Sequence, residues 1–224
     1  MFRELKRIWQ EKEFTQAIIE EFSSMLEYSE EMLSYALKVL LDKGKAKKSK
    51  KKIYFKDQKI NLKEQDIRKR ILVHLSTNPG GNLPACLALM SLVKDAERLG
   101  DYVKNIFELH TYFMDFDEKD RLFTILFEEI GGDVLELLKT VKKAFRDSDT
   151  DLAIEAASKA NEVSKRCEEL ISRLLKSDYP TQQAVTLALG ARYFKRAALH
   201  LSNIASSIFL PLPEMDYING RLKC

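Results

Sequence analysis

Proline, glycine and cysteine are all scarce in this chain of 224 residues, with five, eight and three copies respectively. So few chain breakers exclude barrels, sandwiches and doubly wound sheets, which must turn often, and leave long helices. Cys86, Cys167 and Cys224 are odd in number, far apart and without a Cys-x-x-Cys pair. Neither a disulfide framework nor a cysteine zinc site is expected, and a reducing compartment is. No stretch approaches the roughly 18 apolar residues of a membrane span. The opening MFRELKRIWQEKEF lacks the apolar centre of a signal peptide, so the chain reads as soluble and cytoplasmic. His74, His110 and His200 form no His-Glu-x-x-His or Glu-x-x-His pair, which removes zincin and ferritin-like di-iron sites. Gly80-Gly81 and Gly131-Gly132 lack the Lys-Ser/Thr of a phosphate loop. No Ser-His-Asp or Cys-His-Asp arrangement stands out, and no enzyme is expected.

What is present is a chain 45% hydrophobic and 32% charged. A chain of this length buries roughly 70% of its unfolded surface, which suffices for a real core. The formal net charge of +3 hides an asymmetry. Between Lys43 and Lys56, KGKAKKSKKKIYFK holds eight lysines and no acid, and the remainder has 29 basic against 34 acidic residues, about −5. This Lys-rich segment, 43–56, lies outside the helical pattern and is expected as a solvated loop between the first and second helices. It could attract anionic lipid or an acidic partner face. Nucleic acid is not expected, because only Tyr54 and Phe55 could stack and the body is acidic.

The segments between breakers have helical periodicity. A first helix is expected over about Phe2 to Leu41, with Phe14, Ile18, Phe22, Met25, Leu26, Met32, Leu33, Tyr35, Ala36, Val39 and Leu40 as its stripe. A second starts near Asn61, with Ile60, Ile67, Ile71, Leu72 and Leu75 sharing a face, and stops at Asn78-Pro79-Gly80-Gly81. A third, capped by Asn82 with Pro84 in its first turn, carries Leu87, Met90, Val93, Ala96, Leu99, Val103, Ile106 and Phe107. It ends near Met114 to Asp117. A fourth spans about Glu118 to Phe145 with a kink at Gly131-Gly132. After an acidic turn at Asp147 to Asp151, a fifth runs to about Leu175 and a sixth from Thr181 to Phe209. Trp9 and the Met and Phe residues at helical spacing are expected as core fillers.

KDAERLGDYVKNI in the third helix (Lys94 to Ile106) and RYFKRAALHLSNI in the sixth (Arg192 to Ile204) align at a constant offset. Arg98 then falls on Arg196, Asn105 on Asn203 and Ile106 on Ile204. The expected fold is all-α: two tandem antiparallel three-helix bundles, 1–116 and 117–224, each one copy of a repeat.

Glu97 and Asp101 are four apart on the third helix, so like charges share a face at a cost of a few tenths of a kcal/mol unless something offsets it. A hard cation would, since carboxylate oxygens suit magnesium, calcium, manganese and iron; Asn105 lies one turn further along the stripe. Lys94, Arg98 and Lys104 could equally offset the repulsion as ordinary ion pairs, because Glu-x-x-x-Asp is common on solvated helices.

The string DAERLGDYVKNI (Asp95 to Ile106) resembles the PhoU family signature D-L-E-R-I-G-D-x-x-x-N-I-A. Upstream, DQKINLKEQDI (Asp57 to Ile67) is similar to that family's second-helix pattern D-x-x-I-N-x-x-E. ARYFKRAALHLSNIA (Ala191 to Ala205) resembles its second-repeat signature. The resemblance covers nearly the whole chain and implies two three-helix repeats. It implies a regulator, usually negative, of phosphate uptake and of the phosphate-starvation response. Such proteins bind the ATPase subunit of the phosphate ABC transporter and a sensor histidine kinase; a peripheral position at the inner membrane face and a homodimer are compatible with it. The alternative it leaves is an accessory protein of a sodium–phosphate cotransporter or a cation transport system. A third reading, of another class, is a carboxylate-bridged metal hydrolase or oxidase.

The resemblance also implies a divalent or ferric ion (iron, manganese or magnesium) at one site. Its ligands would be Glu97 and Asp101 of the third helix with Asp57, Asn61 and Glu64 of the second. The second repeat departs from the pattern: Lys195 and Leu199 stand for the glutamate and aspartate, and Ala160 and Ser164 for Asp57 and Asn61. At most one metal site, in the first half, is expected. His200 follows the lost position and reads as a packed surface histidine. Asn82-Leu83-Pro84 stands where the family usually has D-L-R.

Overall fold

The computed structural model describes residues 12–42, 46–78, 83–112 and 120–215, with the side chains of 12–16 and 42 left aside. Trp9, Phe14, the Pro79-Gly80-Gly81 turn, the Asn82 cap, Cys224 and the expected 116/117 boundary fall outside these residues or side chains.

Six helices follow in order, and among the described residues there is no strand. They are α1 (Lys12–Asp42), α2 (Ala46–Thr77), α3 (Leu83–Glu108), α4 (121–147), α5 (Thr150–Leu174) and α6 (Thr181–Phe209). Short 3-10 turns, Leu109–Tyr112 and Leu212–Glu214, follow α3 and α6. None of these helices is long and apolar enough to cross a membrane, among the described residues.

The width of the buried face sorts the helices into inner and outer. In α3, 13 of 26 residues are buried, and in α6, 14 of 29. In α2 the count is 7 of 32 and in α5 8 of 25. A helix covered on two sides needs a wide apolar face, and one packed on a single side needs only a stripe. Accordingly α1, α2 and α3 form one three-helix bundle and α4, α5 and α6 another, with α3 against α6 and α1 against α4 between them. The outer helices are α2 and α5. One hydrophobic core runs through both bundles, from Phe22 and Phe107 to Phe127 and Phe194.

The Lys-rich segment is not a loop. From Ala46 onward it is the first third of α2, which therefore begins 15 residues before Asn61. Lysine is a good helix former, and one buried side chain per turn or two suffices to dock a helix. Ile53 provides it, fully buried. Tyr54 donates to the Glu108 carboxylate at the far end of α3, and Lys52 and Lys56 lie over the rings of Tyr35 and Tyr28 on α1, 4.6 and 4.9 Å from their centroids. Hydrogen bonding to Glu108 and then burial raise the Tyr54 pKa. The α2 seam is Ile53, Asp57, Ile60, Glu64, Ile67, Ile71 and His74, alternating steps of four and three. Leu72, expected on it, is 60% exposed, because the seam passes through polar residues that an apolar count skips. Leu87, expected in the α3 stripe, is also exposed.

The α4 helix opens with Asp120, whose carboxylate accepts from the Leu122 and Phe123 amides at 2.9 and 3.0 Å. It is α-helical over Arg121–Phe123, π-helical over Thr124–Ile130 and α-helical again over Gly131–Asp147. The expected kink at Gly131-Gly132 is thus a π segment just upstream, and Gly131 itself has ordinary helical angles (φ −60°, ψ −42°). Gly131 serves close approach instead: a Cβ there would stand 2.6 Å from Leu37 Cδ2 and 3.3 Å from Phe194 Cζ. The α4 helix ends at Ser148 in the left-handed region (φ 58°, ψ 35°), and Asp149 caps α5 by accepting from the Leu152 amide at 3.0 Å.

Candidate metal and ion-pair centre

The α2 and α3 helices run antiparallel, and their register is set where Ile60 packs on Gly100. A Cβ at Gly100 would stand 3.0 Å from Ile60 Cδ1, so a side chain there would push the helices apart. Gly100 lies within the Glu97–Asp101 turn, so this contact brings the acids of α2 and α3 to one edge. Asp57 and Glu64 are 8% and 9% exposed, an unusual depth for carboxylates. Asn61, one turn after Asp57, is half-buried.

The acids meet through basic side chains rather than directly. Lys104 Nζ donates to Asp57 Oδ2 at 2.9 Å and to Asp101 Oδ1 at 3.2 Å, bridging the helices. Burial alone would lower the Lys104 pKa, but the hydrogen bonds to Asp57 and Asp101 outweigh it and the pKa is raised. One turn and more away, Lys94 Nζ donates to Glu97 Oε2 at 2.6 Å and lies 3.8 Å from Glu64 Oε1. Arg68 Nη2 stands 3.3 Å from Glu64 Oε1, and Arg98 lies within 3.9 Å of both Glu97 and Asp101. Asp57, Glu64, Glu97 and Asp101 are therefore matched in number by Lys94, Lys104, Arg98 and Arg68. Both sequence-level readings of the Glu97–Asp101 pair describe part of this: the acids gather, and lysines offset them. Among the described residues, no three His, Cys, Asp or Glu side chains stand close enough together to hold an ion as placed.

The donor set nevertheless suits a hard cation in kind. It is all oxygen, and the buried Glu64 Oε1 has ion-pair contacts to Arg68 and Lys94 but accepts no hydrogen bond. A metal would have to displace Lys104 and Lys94 from the carboxylates they bridge.

The second repeat has the same frame with other chemistry. The buried seam of α5 is Ala156, Ala160, Val163, Cys167, Leu170 and Leu174. It repeats the spacing of Ile53, Asp57, Ile60, Glu64, Ile67 and Ile71, so Ala160 and Cys167 occupy the places of the two buried acids. Lys195 donates to the Glu168 carboxylate, which lowers the Glu168 pKa. Burial pushes the Cys167 thiol up to about 12, so it is no ready thiolate.

A polar node between the repeats is absent from the sequence reading. Asp95, buried on α3, accepts from Asn203 on α6 at 3.2 Å and shares a 2.7 Å hydrogen bond with His200 Nδ1. The His200 ring stacks on Tyr102 at 5.6 Å. His200 is thus packed as expected, but in a contact between the repeats, and a 105-residue separation left no local signal for that partner.

The PhoU domain profile matches this chain twice, over residues 22–109 and 127–208. The fold is similar to that of PhoU from Pseudomonas aeruginosa, with a TM-score of 0.76 at 19% identity over 87% of this chain and 95% of that one. It is also similar to the phosphate transport system regulatory protein PhoU from Streptococcus pneumoniae, with a TM-score of 0.70 at 21% identity over 88% and 95%. No curated protein matches the sequence.

Proposed function

The chain belongs to the PhoU domain family, and on that premise we propose that it is a regulatory adaptor of phosphate uptake and phosphate-starvation signalling, acting by protein–protein binding. The observation that carries this reading is that both family matches fall on the two three-helix bundles of one continuous fold. Its partners are the ATPase subunit of a phosphate ABC transporter and a sensor histidine kinase, met at the cytoplasmic face of the membrane. No catalytic step is assigned to any residue. The test is co-elution of the purified full chain with each of these two proteins from the same organism. Binding to at least one is expected; binding to neither overturns the reading.

The proposal includes one hard-cation site at Asp57, Asn61, Glu64, Glu97 and Asp101. A bound ion would supply positive charge in place of Lys104 and Lys94 and cross-link α2 to α3. Its binding competes with internal lysines, so weak affinity is expected. Metal content after equilibration with iron, manganese or magnesium should not exceed one ion per chain; two separated sites would contradict the assignment. The replacement of the second-repeat acids by Lys195, Leu199, Ala160 and Ser164 favours a second reading, service to a different phosphate or cation transporter. Co-elution with such a carrier and not with the ABC ATPase would select it.

A further inference from the structure

The face of α2 opposite its seam is an exposed stripe that neither the adaptor reading nor the metal site uses. The helix carries eleven basic residues against three acids. Two of those acids, Asp57 and Glu64, are buried on the inner side, and the third, Asp66, is held by Arg70 at 2.7 Å. Half a helical turn from the seam, the outward positions are Lys48, Lys51, Phe55, Lys59, Leu62, Lys69 and Val73, all exposed, with the Arg70-paired Asp66 between Leu62 and Lys69. Phe55, Leu62 and Val73 are 58%, 57% and 54% exposed, well beyond what a helix needs for its own packing. Lys59 Nζ lies 5.3 Å from the Phe55 ring centroid, so cation and apolar group share one spot. The corresponding outer helix of the second repeat, α5, has four basic against five acidic residues, so the feature belongs to α2 and not to the fold.

We propose that this stripe docks the protein on an anionic membrane surface, with α2 lying along the headgroups. Charge complementarity selects an anionic surface: every acid of the helix is buried or paired, and the outward lysines face solvent. A second copy meeting it α2 to α2 would set lysines against lysines. The form of the stripe selects lipid over a protein groove. Its apolar side chains are spaced two to three turns apart with lysines between them, whereas a protein hot spot clusters its anchors. A helix of 32 residues, about 48 Å long, can lie along a fluid surface in which each apolar group inserts singly and each lysine snorkels to phosphate. The proposal stands apart from the adaptor reading and would survive its failure.

The test is co-sedimentation of the full chain with vesicles of phosphatidylcholine alone and of phosphatidylcholine with 30% phosphatidylglycerol, at about 0.05 and about 0.15 M salt. Binding is expected to the anionic vesicles only, and weaker at the higher salt. Each lysine near such a surface is worth about fivefold in partition. The quadruple variant Lys48→Gln/Lys51→Gln/Lys59→Gln/Lys69→Gln should therefore lose at least a hundredfold by this rule, allowing for non-additivity. Phe55→Ser/Leu62→Gln should lose about tenfold, most visibly at the higher salt, where the apolar share dominates. All six positions are exposed, so circular dichroism melts should match wild type. The control Lys139→Gln/Lys143→Gln/Lys165→Gln/Lys176→Gln removes the same charge elsewhere and should bind like wild type. Three outcomes overturn the proposal. Absence of wild-type binding would assign the stripe to a protein partner. Equal loss in the control would reduce the effect to net charge. Unchanged binding by the α2 variants would place the contact elsewhere.

Discussion

Replacing Lys104 with methionine keeps most of the side-chain volume and removes the ammonium that joins Asp57 to Asp101. The side chains of Lys104, Asp57 and Asp101 are 22%, 11% and 32% exposed. A fully solvated ion pair is worth roughly 0–1 kcal/mol, and stripping one partner from a buried pair costs about 3–5 kcal/mol. Asp57 lies near the buried limit and Asp101 near the solvated one, so a loss of about 2–3 kcal/mol is expected. For a protein of this size that lowers Tm by roughly 4–12 °C. Asp57→Asn should cost less, because it leaves Lys104 its bond to Asp101, and the double variant should show a coupling of about 1–3 kcal/mol. The pH dependence has a definite sign. Lys104 has a raised pKa when folded. Its contribution is therefore complete below the ordinary lysine value of about 10.4 and is lost as pH rises through the raised folded value. The gap between wild type and Lys104→Met should be constant from neutral pH to about 10 and narrow above it. Urea melts followed by circular dichroism at several pH values measure this. Manganese or magnesium should raise the Tm of Lys104→Met more than that of wild type, since the carboxylates then have no lysine to displace. A loss below about 0.5 kcal/mol, or strict additivity with Asp57→Asn, would show that water already screens these groups and would refute the centre as described.

Two further substitutions test the backbone reading of α4. Ser148 holds a left-handed conformation and its Oγ is buried without a hydrogen-bond partner, so Ser148→Gly should stabilise the protein by about 1 kcal/mol, read as a Tm rise of roughly 2–4 °C; a fall would contradict it. A Cβ at Gly132 meets nothing within 4 Å, so Gly132→Ala should gain about 1 kcal/mol of helix propensity, whereas at Gly131 crowding against the buried Leu37 and Phe194 costs about 1–3 kcal/mol and should cancel or reverse that gain. Equal melting temperatures for the two alanine variants would show that α1 and α6 do not converge on Gly131.

The sequence is most legible where chemistry punctuates it. Pro180 and Pro211 bracket α6, and its bounds match the expected Thr181 to Phe209. The acidic turn expected after α4 is there, and its Asp149 caps α5. Legibility fails where a helix is held by few apolar groups. The α2 seam has one buried isoleucine in its first third and then alternates isoleucine with Asp57, Glu64 and finally His74, so hydrophobic periodicity begins too late and drifts onto Leu72. The acids of the α2–α3 centre are readable as a set from spacing and resemblance. Their pairing is not: Lys104 reaches Asp57 only because the Ile60–Gly100 contact fixes the register of two helices, and nothing local encodes that.

The inter-repeat contacts show what the duplication kept and what it let go. At the constant offset of 98 that aligns the third and sixth helices, Asp95 corresponds to Tyr193 and Tyr102 to His200. A twofold relation between repeats then requires that a contact of Asp95 with His200 be mirrored by one of Tyr193 with Tyr102. Both occur: the hydrogen bond is 2.7 Å and the tyrosine centroids are 6.3 Å apart. The same interface is polar at one end and aromatic at the other, which leaves the packing twofold and the chemistry not. The outer helices repeat this division more strongly. The α2 and α5 helices share a six-position buried seam, yet only α2 has acids in the seam and lysines outside it. The same packing frame therefore turns acids inward and a basic excess outward on α2, and does neither on α5. A partner or membrane that reads charge meets a molecule with a single orientation, although the backbone alone would offer two.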